Sequence, residues 1–257
     1  MVNYEVRGSI AVITLMRAPL NTLSLPFLDE ILAALQRAAA DDAVRAVVLR
    51  SGLESAYSAG LDLDLLLGRG RDEVRAFLER LYIDLAEVQY AMGKSTIAAV
   101  DGAARGGGMT LAISCNVILA SDQATFGYPE IKLGLAPAIH FAHLPPIVGR
   151  HRAYELLFSG RVFDAAEAAA LGLVSQVLKP AELDQAAMDL ATTFARLSPD
   201  AVRSGRAAFM RANDFRESVR QAVEDFCDLA ATPDAQEGMR AFLEKRPPRW
   251  AQPKGSV

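Results

Sequence analysis

One stretch constrains this chain more than any other. Ile97-Ala98-Ala99-Val100 is a compact apolar strand that runs into Asp101-Gly102 and then the triplet Gly106-Gly107-Gly108. A buried helix from Met109 to about Cys115 follows at once, and Val117-Ile118-Leu119-Ala120 reads as the next strand. A strand, a glycine-rich loop and a buried helix in such quick succession require parallel strands with covered faces, which is an α/β fold. The N-terminal segment adds a hairpin at Val6 to Ile10 and a helix after Ser24 with Leu28, Ile31, Leu32 and Leu35 on one face. Ala43 to Arg50 reads as a further strand, and Val74 to Val88 as a further helix. After Pro180 the pattern becomes helical and alanine-rich, with helix starts at Ser198-Pro199 and Thr232-Pro233-Asp234. Residues 1–180 are therefore expected to form the core and 181–257 a C-terminal helical region, with a loose tail from Arg246 onward.

Composition narrows the function classes. A formal net charge of −4 with no Lys/Arg block excludes the electrostatic footprint of a nucleic-acid binder. The longest apolar run, Met109 to Ala120, is broken by Thr110, Ser114 and Asn116 and is too short for a membrane span. A strand pattern begins almost at residue 1, so a cytoplasmic protein is expected. Cys115 and Cys227 read as free buried thiols, and His140, His143 and His151 do not make a metal site.

Three segments carry candidate chemistry. Ala56 to Leu63 is a small-residue turn after a strand, which leaves backbone N–H groups unpaired. Gly102 to Gly108 exposes N–H groups at a helix start, where the dipole favours negative charge. Phe126-Gly127-Tyr128-Pro129-Glu130 puts a carboxylate just after a turn among apolar neighbours. Together they suggest an oxyanion site with one acid/base group. Other motifs fail on spacing. Gly93-Lys94-Ser95 lacks the earlier glycine of a phosphate loop, since Val88 stands there, and Ala104 breaks a dinucleotide-binding fingerprint. Ser58 does not sit in a nucleophile elbow, because Ala56 precedes it by two.

The order and spacing of these segments resemble the enoyl-CoA hydratase/isomerase, or crotonase, family. The landmarks are Pro19 to Ser24, Ser58 to Leu63, Ile97 to Gly102 with Gly106-Gly107-Gly108, Phe126 to Glu130 with Leu133-Gly134, and Ala165 to Val174. The resemblance implies a spiral of ββα units whose C-terminal helical region mediates trimerisation, giving a homotrimer or a dimer of trimers. It implies an acyl-CoA substrate and no cofactor beyond the coenzyme A that the substrate carries. Carried over by position, Leu61 and Gly107 supply the two oxyanion N–H groups and Glu130 the acid/base carboxyl. Ala59, Asp62 and Leu63 resemble residues that contact CoA, while Gly106, Thr110, Pro129 and His140 fall beside the acyl group. Lys245 and Arg246 resemble basic residues that approach CoA phosphates.

The chain departs from the hydratase pattern in one place. Family hydratases carry a second glutamate two residues after the glycine triplet, where this chain has Thr110. A single carboxylate suits Δ3-Δ2 double-bond isomerisation, in which one base removes a proton and returns it to another carbon. Hydration or another lyase reaction is the alternative, with Thr110, a histidine or a tyrosine in place of the missing glutamate. A non-catalytic acyl-CoA-binding scaffold is the third. If Glu130 is the base, its pKa should be raised in an apolar pocket. His140 and His143, three apart on one helix face, are tempting as a second acid/base pair.

Overall fold

The computed structural model describes residues 1–251. The chain begins with β1 (Val2–Arg7) and β2 (Ile10–Leu15), an antiparallel hairpin. Its turn needs Gly8 at φ +62, a conformation that costs glycine little. Helix α1 (Leu25–Ala40) follows and buries Phe27, Leu28, Ile31, Leu32, Leu35 and Ala38. Ser24 occupies its N-cap position but makes no side-chain cap bond; Pro in the first turn and the buried face hold the start instead. Lys94 closes the other end, its ammonium donating to the carbonyls of Ala38, Ala39 and Asp41 at 2.6, 3.0 and 2.6 Å. That is the structural role of the residue in the phosphate-loop look-alike.

From here the chain repeats one unit, a strand in a large sheet, a short strand in a small sheet, and a helix. The first unit is β3 (Ala46–Ser51), β4 (Ala56–Ser58) and α2 (Arg71–Leu78) with α3 (Leu85–Ala91). The second is β5 (Ser95–Val100), β6 (Ala103–Arg105) and α4 (Gly107–Ser114). The third is β7 (Val117–Ser121), β8 (Thr125–Gly127), then α5 (His140–Val148) and α6 (Arg150–Ser159). After β9 (Val162–Asp164), α7 (Ala165–Ala170) and β10 (Gln176–Leu178), the sheets have the orders β1-β2-β3-β5-β7-β10 and β4-β6-β8-β9. Pairing from β2 through β10 in the large sheet is parallel, as is β4-β6-β8 in the small one. This is the ββα spiral.

The helix expected from Val74 to Val88 is interrupted. Between α2 and α3 lies a π-helical turn, Glu79–Asp84, which buries Leu81 and Tyr82. Such turns are uncommon and recur at functional sites. The expected strand at Ala43 starts later, at Ala46, because residues 42–43 form a turn and the Ala43 N–H donates to Asp41 Oδ1.

After β10 the chain is helical: α8 (Pro180–Ala195), α9 (Pro199–Ala212), α10 (Arg216–Ala230) and α11 (Pro233–Leu243). Ser198 and Thr232 cap α9 and α11, accepting from the N–H of Ala201 and Ala235. Leu183, Ala187 and Ala191 of α8 pack on the large sheet with Ile10, Val12, Val48, Ile97 and Leu119, a second apolar cluster. Arg246 does not begin a loose tail. It is tied to both oxygens of Glu237, and residues 249–251 form a short 3-10 turn. The expectation for 252–257 lies outside the described residues.

Candidate active site

The large core cluster brings the three sequence segments together. Leu23 and Leu61 form an isolated parallel bridge. The Leu23 N–H donates to the Gly60 carbonyl at 2.7 Å, and the Asp62 N–H donates to the Leu23 carbonyl at 3.0 Å. In this pattern the N–H of Leu61, between them, turns away from Leu23. Gly60, at φ +90, lets the loop abut the first turn of α4. A Cβ there would sit 2.6 Å from the Arg105 carbonyl oxygen and 3.2 Å from the Gly107 nitrogen. Gly107 is the first residue of α4, so its N–H has no acceptor inside the helix. Two backbone N–H groups thus lie on adjoining segments, with the positive end of α4 behind one of them.

Glu130 stands in the 3-10 turn Pro129–Leu133 that follows β8. It is 6 % exposed, and burial pushes its carboxyl up to about 7, against a backbone hydrogen bond that lowers it. Its Oε1 lies against Gly106, where a Cβ would be 2.7 Å away. Gly106 has φ +48 and ψ −111 and so bends the chain under the carboxylate. Pro129 starts the turn and fixes where Glu130 emerges. Oε2 of Glu130, the Tyr128 hydroxyl and His140 Nδ1 are buried without a hydrogen-bond partner among the described residues. Buried polar atoms are seldom left so. Burial, and then the charge of Glu130, raises the Tyr82 and Tyr128 phenols, so both are neutral donors beside it.

Thr110 is one turn along α4 from Gly107, and its Oγ1 lies 3.4 Å from His140 Nε2. His140 is fully buried and its ring packs 4.6 Å from the Tyr128 ring. Burial first and His143 second push His140 down to about 3, against a backbone hydrogen bond with Gly106. Burial takes His143 down to about 4. The two rings are 6.4 Å apart, so they do share a face of α5, but both are neutral near pH 7. The histidine pair, tempting in sequence as a second acid/base couple, is therefore a poor acid and packs as a largely buried pair.

Leu61, Gly106, Gly107, Thr110, Pro129, Glu130 and His140 thus form one centre. Ala59, Asp62 and Leu63 are half-buried on the loop that carries Leu61. Ala59 N–H donates to the Leu20 carbonyl, Asp62 Oδ1 accepts from Asp64 N–H, and Asp62 Oδ2 pairs with Arg17 at 3.4 Å. Arg246 points its charge at Glu237 and Glu244, which occupies the cation assigned to CoA phosphates. Sequence reasoning missed Leu81, whose Cδ2 would be 3.4 Å from a Cβ on Gly107, because helical periodicity marks it only as apolar. It also missed Arg206, for which no local pattern is a signal.

A family model described as enoyl-CoA hydratase/isomerase matches residues 5–253. The chain belongs to that family. A Rhizobium meliloti (strain 1021) relative named "Probable enoyl-CoA hydratase" is 39% identical over 246 residues, 94% of each chain. The methylglutaconyl-CoA hydratase of Rattus norvegicus is 35% identical and covers 90% of this chain and 75% of its own. The crystal structure of an enoyl-CoA hydratase from Bacillus anthracis superposes with a TM-score of 0.78 at 30% identity, covering 96% of this chain and 97% of that one. As a member of the enoyl-CoA hydratase/isomerase family, the protein is an enzyme acting on acyl-CoA, built on the crotonase fold with a helical C-terminal region. Among the described residues no helix is long and apolar enough to cross a membrane.

Proposed function

We propose that this enzyme moves a double bond along an acyl-CoA from the 3,4 to the 2,3 position. Glu130 removes a proton from C2. The electron pair moves into the thioester, and the N–H groups of Leu61 and Gly107 hold the resulting dienolate oxygen. The same carboxyl, now protonated, returns the proton to C4, so no atom is gained or lost. The observation that carries this reading is the solitary buried carboxyl on Gly106. At a pKa of about 7 it is both an adequate base and an adequate acid at neutral pH. Thr110 and the neutral His140 lie together at this centre, within hydrogen-bond reach of each other.

A second reading is hydration. The printed names of the relatives favour it, and Thr110, backed by His140, could hold a water where family hydratases have a second glutamate. Incubating the protein and Glu130→Gln with paired 2-enoyl- and 3-enoyl-CoA, followed by mass and absorbance, separates the two. Conversion of the 3-enoyl form at constant mass, lost in the variant, supports the isomerase. Addition of one water to the 2-enoyl form supports hydration, and thioester binding with no turnover would leave the scaffold. Trimeric assembly, coenzyme A as the only cofactor-like group, and a cytoplasmic location remain proposals that accompany this reading.

A further inference from the structure

The peptide between Gly106 and Gly107 carries one of the two proposed oxyanion donors, and it has a glycine on each side. With no Cβ at either end, its plane can turn over at little steric cost. Turned over, it would aim a carbonyl at the thioester in place of an N–H. Because the peptide is planar and trans, whatever holds the Gly106 carbonyl also aims the Gly107 N–H. Two groups reach that carbonyl. One is the Thr110 N–H, at 3.1 Å, the ordinary first bond of α4. Helix starts fray, so this is a soft restraint. The other is the imidazole of His140, which belongs to a different helix, α5, and hydrogen-bonds the Gly106 backbone. The Gly106 N–H is already committed to the Gly127 carbonyl at 3.1 Å, so the group His140 meets is the Gly106 carbonyl. Nδ1 of the ring has no partner among the described residues, while Nε2 lies 3.4 Å from Thr110 Oγ1 on the same first turn. The proton of the neutral ring therefore sits on Nε2 and faces the Gly106 carbonyl. A carbonyl oxygen has two lone pairs and accepts both donors. The ring is held in turn, being fully buried and packed 4.6 Å from the ring of Tyr128, two residues before Glu130.

We propose that His140 is a positioning residue for the oxyanion site: its Nε2–H holds the Gly106 carbonyl, which fixes and polarises the Gly107 N–H toward the thioester oxygen. The proposal rests on the enolate reading for the place of that oxygen. In this arrangement His140 touches no reacting atom and passes no proton. A second hydrogen bond to the carbonyl strengthens the one that the N–H of the same peptide donates, because bonded amides polarise one another. The thioester oxygen gains charge as the enolate forms, so the effect grows toward the transition state.

Infrared difference spectra of the whole protein with a saturated acyl-CoA, isotope-labelled at the thioester carbonyl, read this without turnover. In the parent the bound carbonyl should absorb at lower frequency than in the free thioester, since two N–H groups pull on its oxygen. His140→Phe keeps a ring against Tyr128 and removes the donor. It should lose about a third or more of that shift. His140→Gln places an amide N–H near the Nε2 position and should recover most of it. In the phenylalanine variant kcat on 3-enoyl-CoA should fall about ten- to a hundredfold with KM nearly unchanged, less than the roughly hundred- to thousandfold that follows outright loss of an oxyanion donor. A folded His140→Phe with the full shift of the parent overturns the proposal. So does an equal loss in the glutamine and phenylalanine variants, which would make His140 a packing residue. If the phenylalanine variant does not fold, nitrogen NMR of the histidine-labelled parent decides: the proposal requires a proton on Nε2 of His140, and a proton on Nδ1 overturns it. A parent that leaves the carbonyl unshifted removes the oxyanion site and this proposal together. A shifted carbonyl without turnover of 3-enoyl-CoA sinks the double-bond reading alone, and the infrared comparison still decides for or against His140.

Discussion

The Glu130 carboxylate rests on the α-carbon of Gly106: a Cβ built there would lie 2.7 Å from Oε1 and 3.2 Å from Cδ. The glycine thus sets the position of the proposed base, while its neighbour Gly107 supplies one of the proposed oxyanion donors. Gly106→Ala must push Glu130 away and strain a residue at φ +48. Its kcat/KM on 3-enoyl-CoA should fall about a hundredfold or more, since a misplacement near 1 Å can cost that much. Melting temperature should fall as well. A variant with near-normal kcat/KM would show that Glu130 works from another position.

Glu130 also links stability to pH. Burial raises its carboxyl from 4.5 to about 7 in the fold. The folded state therefore holds the proton more tightly than the unfolded chain. Stability is full below about 4.5, declines as pH rises toward about 7, and is flat above. A shift of that size corresponds to roughly 3 kcal/mol. Glu130→Gln should remove it. Urea unfolding at pH 8 should find the variant more stable than the parent by up to a few kcal/mol, and at pH 4.5 that gain should vanish. The comparison is with the parent because His140 and His143, held neutral by burial, act oppositely. Their stabilisation is present above about 6.5 and lost as pH falls toward about 3 to 4. The same substitution should lower isomerisation by about a thousandfold, within the usual range for a general base. An unchanged difference between pH 4.5 and pH 8 would mean that Glu130 is hydrated and titrates normally.

Much of this was legible in the residues, and for definite reasons. The glycine triplet between an apolar strand and a buried helix marked the first turn of α4, because glycine there lets the chain bend sharply and leaves helix-start N–H groups accessible. Pro129-Glu130 after a short strand placed the carboxyl. What could not be read was everything set by distant packing. The π-helical turn at Glu79–Asp84 leaves no mark, since its apolar residues fit an α-helix equally well. That His140 is buried against Tyr128 and Thr110, and hence neutral, depends on how α5 settles on α4. Arg246 looked like a free cation because Glu237, nine positions earlier, gave no hint of reaching it.

Neutral His140 makes a clear claim about pH profiles. With its pKa held near 3, it should contribute no ionisation to kcat/KM between pH 5 and 9. The acid limb should belong to Glu130 and lie near 7. His140→Asn should leave that limb in place while changing the amplitude. Disappearance of the limb in this variant would transfer the acid/base role to the histidine. Thr110→Val gives the companion result. Isomerisation should survive within about tenfold, because no proton passes through the hydroxyl, whereas any hydration should fall by about a hundredfold or more.

Arg206 is buried at 8 % exposure and pairs with no carboxylate among the described residues. Instead its guanidinium donates to Asn116 Oδ1 at 3.0 Å, to the Tyr90 carbonyl at 3.2 Å and to the Gln89 carbonyl. It thereby joins α9 to the end of α3 and to Asn116, the residue just before β7. Burial lowers it to about 10, which still leaves it charged at neutral pH. Arg206→Met would keep the bulk of the stem and strand three acceptors, at a cost of about 1–3 kcal/mol for each acceptor that water cannot reach. Urea denaturation should therefore show a loss of about 2–4 kcal/mol. Arg206→Lys should recover less than half, because one ammonium cannot reproduce a planar fork aimed at separate oxygens. If lysine restores full stability, the charge and not the geometry holds α9 in place.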